Sequence, residues 1–188
     1  RRVLFRSARP TDRLAISSML HTVTPESLTS NQIVATDQPD RLIEDFSNGW
    51  RDWFQLSPNN PHHWEFSTRK LTDPKWQGQD DQLLSIDVQA DQANPLIIVL
   101  TENFFRSYRG KQQEFIAVVP LDGGPQSQNI LLSPDKFQTS DGTPLNSWKQ
   151  LDILSFRAYY EQGDLLLGSK SWVGKQPVFK KIEWRSRK

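Results

Sequence analysis

The 188-residue chain contains no cysteine, which excludes a disulfide-stapled scaffold and a zinc ribbon. Three histidines are a thin vocabulary for a transition-metal site. Apolar residues make up only 36% and the mean hydropathy is −0.64, and no run approaches the ~20 apolar residues of a membrane-spanning helix. Charge of one sign is lacking too. Lys and Arg number 23 against 22 Asp and Glu, a formal +1, so the basic footprint of a nucleic-acid binder is missing. Glycine totals nine, and Gly123-Gly124-Pro125 fits a strand connection rather than a phosphate-cradling loop. There is no Gly-x-Ser-x-Gly elbow. Ser133-Pro134-Asp135-Lys136 matches Ser-x-x-Lys only formally, because that chemistry sets Ser on a helix and here Pro follows a strand.

Aromatic residues, by contrast, are plentiful: seven Trp, ten Phe and three Tyr bring the share to 11%, which argues against disorder. A chain of this length builds a core without metal or disulfide. Arg1–Ser7 (Arg-Arg-Val-Leu-Phe-Arg-Ser) reads as a translated sequencing-adapter artefact. Residues 8–38 carry a short apolar patch around Leu14–Val23 and a helix start at Thr24-Pro25-Glu26, and read as the tail of an upstream domain plus a linker. The turn-rich Asp37-Gln38-Pro39-Asp40 marks the boundary, with one domain expected over 39–188.

That domain reads as all-β. Arg41–Phe46, His62–Arg69, Leu83–Ala90, Leu96–Phe105, Glu114–Leu121, Asn129–Leu132, Leu151–Tyr160, Leu165–Leu167 and Val178–Trp184 are short and rich in β-branched or aromatic residues. Turn clusters such as Pro58-Asn59-Asn60-Pro61 separate them. The spacing predicts a jelly-roll β-sandwich of eight or nine antiparallel strands behind a short irregular N-terminal extension. Alternation sorts the faces: Leu84, Ile86, Val88 and Ala90 inward against Asp87 and Gln89 outward. The same rule puts Leu154, Phe156 and Ala158 inward against Arg157 and Tyr159 outward, and Trp64 and Phe66 inward against His63 and Glu65 outward.

Catalytic groups are sparse. His62 and His63 are adjacent in a strand and point to opposite faces, so they cannot share a metal. Glu65 and Asp87 could form a hydrolytic carboxylate pair only if one cleft held both. The better signal is for binding, since sugar rings present apolar faces and hydroxyl edges that aromatic rings, arginine and carboxylates recognise. Arg157, Tyr159, Asp87, Gln89, Glu65 and His63 form one candidate sheet-face patch, on the expectation that their strands share a sheet. Trp53, Trp76 and Trp172 sit in polar, turn-rich stretches and are the loop candidates, whereas Trp64, Trp148 and Trp184 lie beside apolar strand positions and read as core.

Leu42-Ile43-Glu44-Asp45-Phe46 with Trp50 resembles the opening strand of galactose-binding-like β-sandwiches, a group with several carbohydrate-binding modules and the complex I intermediate-associated domains. Leu131-Leu132-Ser133-Pro134-Asp135-Lys136-Phe137, then Asp141-Gly142, Pro144-Leu145, Trp148 and Leu151–Phe156, is similar to their second half, and Val178–Trp184 to their closing strand. The resemblance implies a jelly roll at the C-terminal end of a secreted bacterial glycoside hydrolase or esterase, with sugar binding as the commonest role. It implies a structural calcium site, to which Asp45 and Glu183 match by position. The expectation is therefore a secreted or periplasmic, non-catalytic accessory module, a fragment of a hydrolase. Its partners would be carbohydrate and its own upstream catalytic domain, with no nucleic acid, membrane or cofactor beyond that calcium. The rivals are a domain that packs on its catalytic partner without binding sugar, and a small glycan-active enzyme.

Overall fold

The computed structural model describes residues 39–187 apart from 61, 106, 107, 109, 163, 164 and 168–171; the expected adapter stretch and the 8–38 tail, with its Leu14–Val23 patch, lie outside the described residues. Eleven strands follow in chain order: β1 Arg41–Glu44, β2 Phe54–Leu56, β3 Glu65–Thr68, β4 Gln82–Gln89, β5 Asn94–Glu102, β6 Gln113–Leu121, β7 Gln128–Leu132, β8 Leu151–Arg157, β9 Tyr160–Gln162, β10 Leu165–Leu167 and β11 Val178–Ser186. Single 3-10 turns at Lys70–Thr72, Pro74–Trp76 and Pro134–Lys136 lie between the strands.

Nine strands form two antiparallel sheets, one of order β1-β11-β4-β7 and one of order β2-β3-β8-β5-β6; β9 and β10 make a separate ribbon. This is the expected jelly-roll sandwich. Its ninth member is β2, which the strand signal passes over, while Leu165–Leu167 belongs to the ribbon. The inward residues follow the alternation. Leu84, Ile86 and Val88 of β4 and Ile182 and Trp184 of β11 pack in one cluster with Leu96, Ile98 and Leu100 of β5 and Leu154 and Phe156 of β8. Aromatic contacts cross the layers: Phe179 of β11 stacks on Phe156 of β8 at 4.4 Å, and Trp50 stacks on Phe66 of β3 at 4.1 Å. Buried aromatics of this size dominate the stabilising area of a core.

Expected strand β5 was to run to Phe105, but it ends at Glu102, because Asn103 turns into the left-handed region at φ 57°. That turn releases Phe104 and Phe105 from the sheet, half-exposed, onto the rim of the outer face of the five-stranded sheet.

Candidate functional site

The outer face of the five-stranded sheet carries a trough of about 600 Å³. Its floor comes from alternate residues of two neighbouring strands, Glu65 and Ser67 of β3 and Ile153, Ser155 and Arg157 of β8. Thr101 of β5 and Glu114 of β6 close one flank, and Arg51, Asp52 and Phe54 close the other. Phe54 is 66% exposed and Phe104 43%, so two aromatic faces stand open at its edge. Phe104 meets Phe105 edge-on at 4.7 Å, and the Arg69 guanidinium sits 4.9 Å over the Phe105 ring.

Arg157 is the centre of the floor. Its Nε lies 3.2 Å from the Glu65 carboxylate and its Nη2 3.5 Å from that of Glu114. Glu65 is on β3 and Glu114 on β6, with β8 and β5 between them, so the Arg157 side chain crosses β5. A side chain on that path lays its methylenes over apolar sheet surface. Ile97, Val99 and Ile116 form a second, smaller buried cluster on this outer face. Three arginines (Arg51, Arg69, Arg157) and three carboxylates (Asp52, Glu65, Glu114) line the trough, so their charges cancel. Ser155 is buried, and its hydroxyl has no hydrogen-bond partner among the described residues. An unmatched buried hydroxyl costs about 1–3 kcal/mol.

The aromatic wall is held from below. Asp152 is fully buried, and its Oδ2 accepts the Phe105 N–H at 3.2 Å. Beside it, burial raises the Glu102 carboxyl above its ordinary range, and the charge of Asp152 raises it further. On the opposite flank, burial acts to raise the Glu44 carboxyl, but its hydrogen bonds from Lys70 and Trp53 outweigh that and hold it low. That network fixes the turn from Trp50 to Trp53 that carries Arg51 and Asp52.

Four of the six expected sheet-face residues come together and two do not. Glu65 and Arg157 pair across β3 and β8, and one step further the His63 and Tyr159 rings meet at 4.3 Å. Asp87 and Gln89 are elsewhere. Their strand, β4, belongs to the four-stranded sheet, where Asp87 stands in register with Asn129 and Lys181 on the opposite outer surface. Alternation gives a residue's face but not its sheet, and the expectation that these strands share a sheet is corrected. This also removes the proposed Glu65–Asp87 carboxylate pair.

The loop tryptophans are corrected as well. Trp53 is only 5% exposed, with its ring stacked on Phe156 at 5.6 Å and its Nε1 donating to Glu44, so only its margin reaches the trough. Trp172 is fully buried against Trp64, and its Nε1 donates to the Lys175 carbonyl. Trp76 is half-buried against the core, between Lys70 and Lys75, away from the trough. Phe54, Phe104, Ser67, Ser155 and Glu114 are among the trough residues that the sequence gives no sign of, as are Arg51, Asp52, Arg69, Thr101 and Ile153.

Asp45 and Glu183, the two residues matched to a calcium site, are each engaged by side chains or backbone of their own surroundings. The Glu183 carboxylate is held by Lys181 at 3.0 Å and Arg185 at 2.8 Å, and Asp45 Oδ1 accepts both the N–H and the hydroxyl of Ser47. Among the described residues no group of three or more His, Asp or Glu is placed to hold a metal.

No family model and no curated protein matches the sequence. Among solved structures, a solution structure of CtCBM11 shares 15% identity at a TM-score of 0.50, covering 79% of this chain and 95% of that one. The family 11 carbohydrate-binding module from Clostridium thermocellum in complex with a β-1,3-1,4-mixed-linked tetrasaccharide is similar at 13% identity and TM-score 0.46, covering 78% and 95%. At 15% identity the likeness is one of fold alone, a β-sandwich.

Proposed function

We propose that this chain is a non-catalytic carbohydrate-binding module whose site is the trough on the outer face of the five-stranded sheet. One observation carries the reading: a polar floor of Glu65, Ser67, Ser155 and Arg157 lies between two open aromatic faces, Phe54 and Phe104. Carboxylates and a guanidinium fork hydrogen bonds to sugar hydroxyls, and the aromatic faces take the apolar faces of the rings. The β-sandwich fold shared with a carbohydrate-binding module agrees with this reading. Glu65 and Glu114 both serve the same arginine, which suits a rigid binding surface rather than a pair set to exchange protons.

The same proposal extends to the setting that the strand resemblance implies, an accessory domain of a secreted hydrolase; recovery of the coding sequence upstream of residue 8 tests that part. The binding itself is tested by affinity electrophoresis in gels of mixed-linkage β-glucan, xylan, mannan and a soluble cellulose derivative. At least one polysaccharide should retard the native protein, and Phe54→Ala with Phe104→Ala should abolish the retardation with an unchanged circular dichroism spectrum. Unaltered retardation of the double variant, or none on any gel, overturns the reading.

A further inference from the structure

We infer that Asp152, fully buried and out of reach of any ligand, is a positioning residue that sets the strength of glycan binding by holding the aromatic rim of the trough. This rests on the carbohydrate-binding reading above. The register of β5 and β8 carries it. Leu100 stands opposite Leu154 and Thr101 opposite Ile153, but Glu102 stands opposite Leu151, so Asp152 is an extra residue in β8. The core shows the same slip. Phe156, Leu154 and Leu151 all join the apolar cluster, the first two spaced by two positions and the last two by three, and Asp152 falls in the wider gap. A bulge of this kind re-aims a side chain. Here it withholds a carboxylate from the apolar set and brings it to the place where the chain leaves β5.

The rim begins at that place. Strand β5 ends at Glu102, Asn103 turns left-handed, and the half-exposed Phe104 and Phe105 follow. Asp152 Oδ2 accepts the Phe105 N–H at 3.2 Å. From there the hold passes to the rings. The Arg69 guanidinium covers Phe105, and Phe105 meets edge-on the Phe104 ring that lines the trough. The bulge is anchored from its other side as well. The Leu151 carbonyl accepts from Gln77 Nε2 at 3.2 Å, and the Asp152 carbonyl from the Thr72 hydroxyl at 3.2 Å. Burying a carboxylate is costly unless it is hydrogen-bonded, and a charged acceptor holds a backbone N–H more strongly than a neutral one. An aromatic face held in place before the ligand arrives binds more tightly than one that must be ordered on binding.

The test is affinity electrophoresis of the whole chain in gels of mixed-linkage β-glucan, xylan, mannan and a soluble cellulose derivative, at a temperature where circular dichroism shows each variant folded. In the gel that retards the native protein, Asp152→Ala should weaken binding about tenfold, as Phe104→Ala does. Combined with Phe104→Ala it should weaken binding no further, because both act through one ring. Asp152→Asn keeps an acceptor oxygen and should bind within about threefold of the native protein. Exchange of the Phe105 amide hydrogen should be faster in Asp152→Ala than in the native protein. Gly78→Ala, whose added methyl would meet the Trp148 and Trp184 rings in the core, should lose stability yet keep native retardation. If Asp152→Ala does not fold, Thr72→Val takes its place. It removes the donor to the Asp152 carbonyl and should weaken binding about threefold alone and not at all beside Phe104→Ala. Native retardation of the folded Asp152→Ala, or of Thr72→Val in its stead, or a loss that adds in full to that of Phe104→Ala, overturns the positioning role while the binding reading stands. If no gel retards the native protein, the binding reading itself fails, and the inference with it.

Discussion

Gly78 is the position at which the core is most exposed to a single added methyl. A Cβ there would lie 2.8 Å from Cε3 and Cζ3 of Trp184 and 2.9 Å from Cδ1 of Trp148. Carbon atoms ordinarily approach no closer than about 3.5 Å, so the rings would have to retreat by about 0.7 Å. Neither can do so cheaply. Trp184 and Trp148 are buried, lie 5.0 Å apart, and are pinned through their Nε1 donors to the carbonyls of Trp76 at 2.8 Å and Gln82 at 2.9 Å. Overpacking of this kind costs about 1–3 kcal/mol, and the entropy that Ala removes from the unfolded chain returns about 0.4–1 kcal/mol. Gly78→Ala should therefore destabilise by about 1–2 kcal/mol, a Tm drop of roughly 2–8 °C for a domain of this size. Urea melts followed by tryptophan fluorescence measure it, with the m-value unchanged. Trp184→Phe removes the ring atoms that the methyl meets, so the double variant should lose less than the two single losses added. Equal or higher stability for Gly78→Ala, or strict additivity with Trp184→Phe, would refute the reasoning.

The perturbed carboxyls give two further expectations. Glu102 has its folded pKa raised from an ordinary 4.5, so the native state holds the proton longer than the unfolded chain, and stability falls as pH rises from that value through the folded pKa. Glu102→Gln should thus match the native protein near pH ~3 and melt higher than it at pH ~7, and an advantage of the same size at both pH values would contradict this. Glu44 is lowered, so its contribution is present above its unfolded pKa and is lost as pH falls through the folded one. Glu44→Gln weakens the charge-assisted bonds from Lys70 and Trp53 and should cost about 1–3 kcal/mol at neutral pH but little in acid; a loss of the same size at both would sink it.

Where polarity alternates, the sequence could be read: Leu84, Ile86 and Val88 against Ser85 and Asp87 place the faces of β4, and Leu154 and Phe156 against Ser155 and Arg157 do the same for β8. The all-β sandwich follows from such segments. Strand β2 could not be read this way, because Phe54, Gln55 and Leu56 are all exposed at a sheet edge and carry no alternation. The site was half legible for a related reason. Arg157 and Glu65 follow from alternation, but the strand order that puts Asp87 on the other sheet is a long-range property with no local signal. Trp53 and Trp172 have polar neighbours in sequence yet fold inward: Trp53 closes a turn onto Trp50, and Trp172 closes onto Lys175. Phe104 and Phe105 looked like the continuation of an apolar strand, and the left-handed Asn103 instead delivers them to the trough rim.

The central claim is that the outer face of the five-stranded sheet binds glycan, and backbone amide NMR shifts during titration with a soluble oligosaccharide of whichever polysaccharide retards the protein test it most directly. The account predicts that the perturbed amides cluster on Glu65–Arg69, Ile153–Arg157 and Phe104–Phe105, with Asp87, Gln89, Asn129 and Lys181 on the opposite sheet unmoved. Perturbations centred on that opposite sheet, or no perturbation of the β3 and β8 amides at saturating ligand, would contradict it.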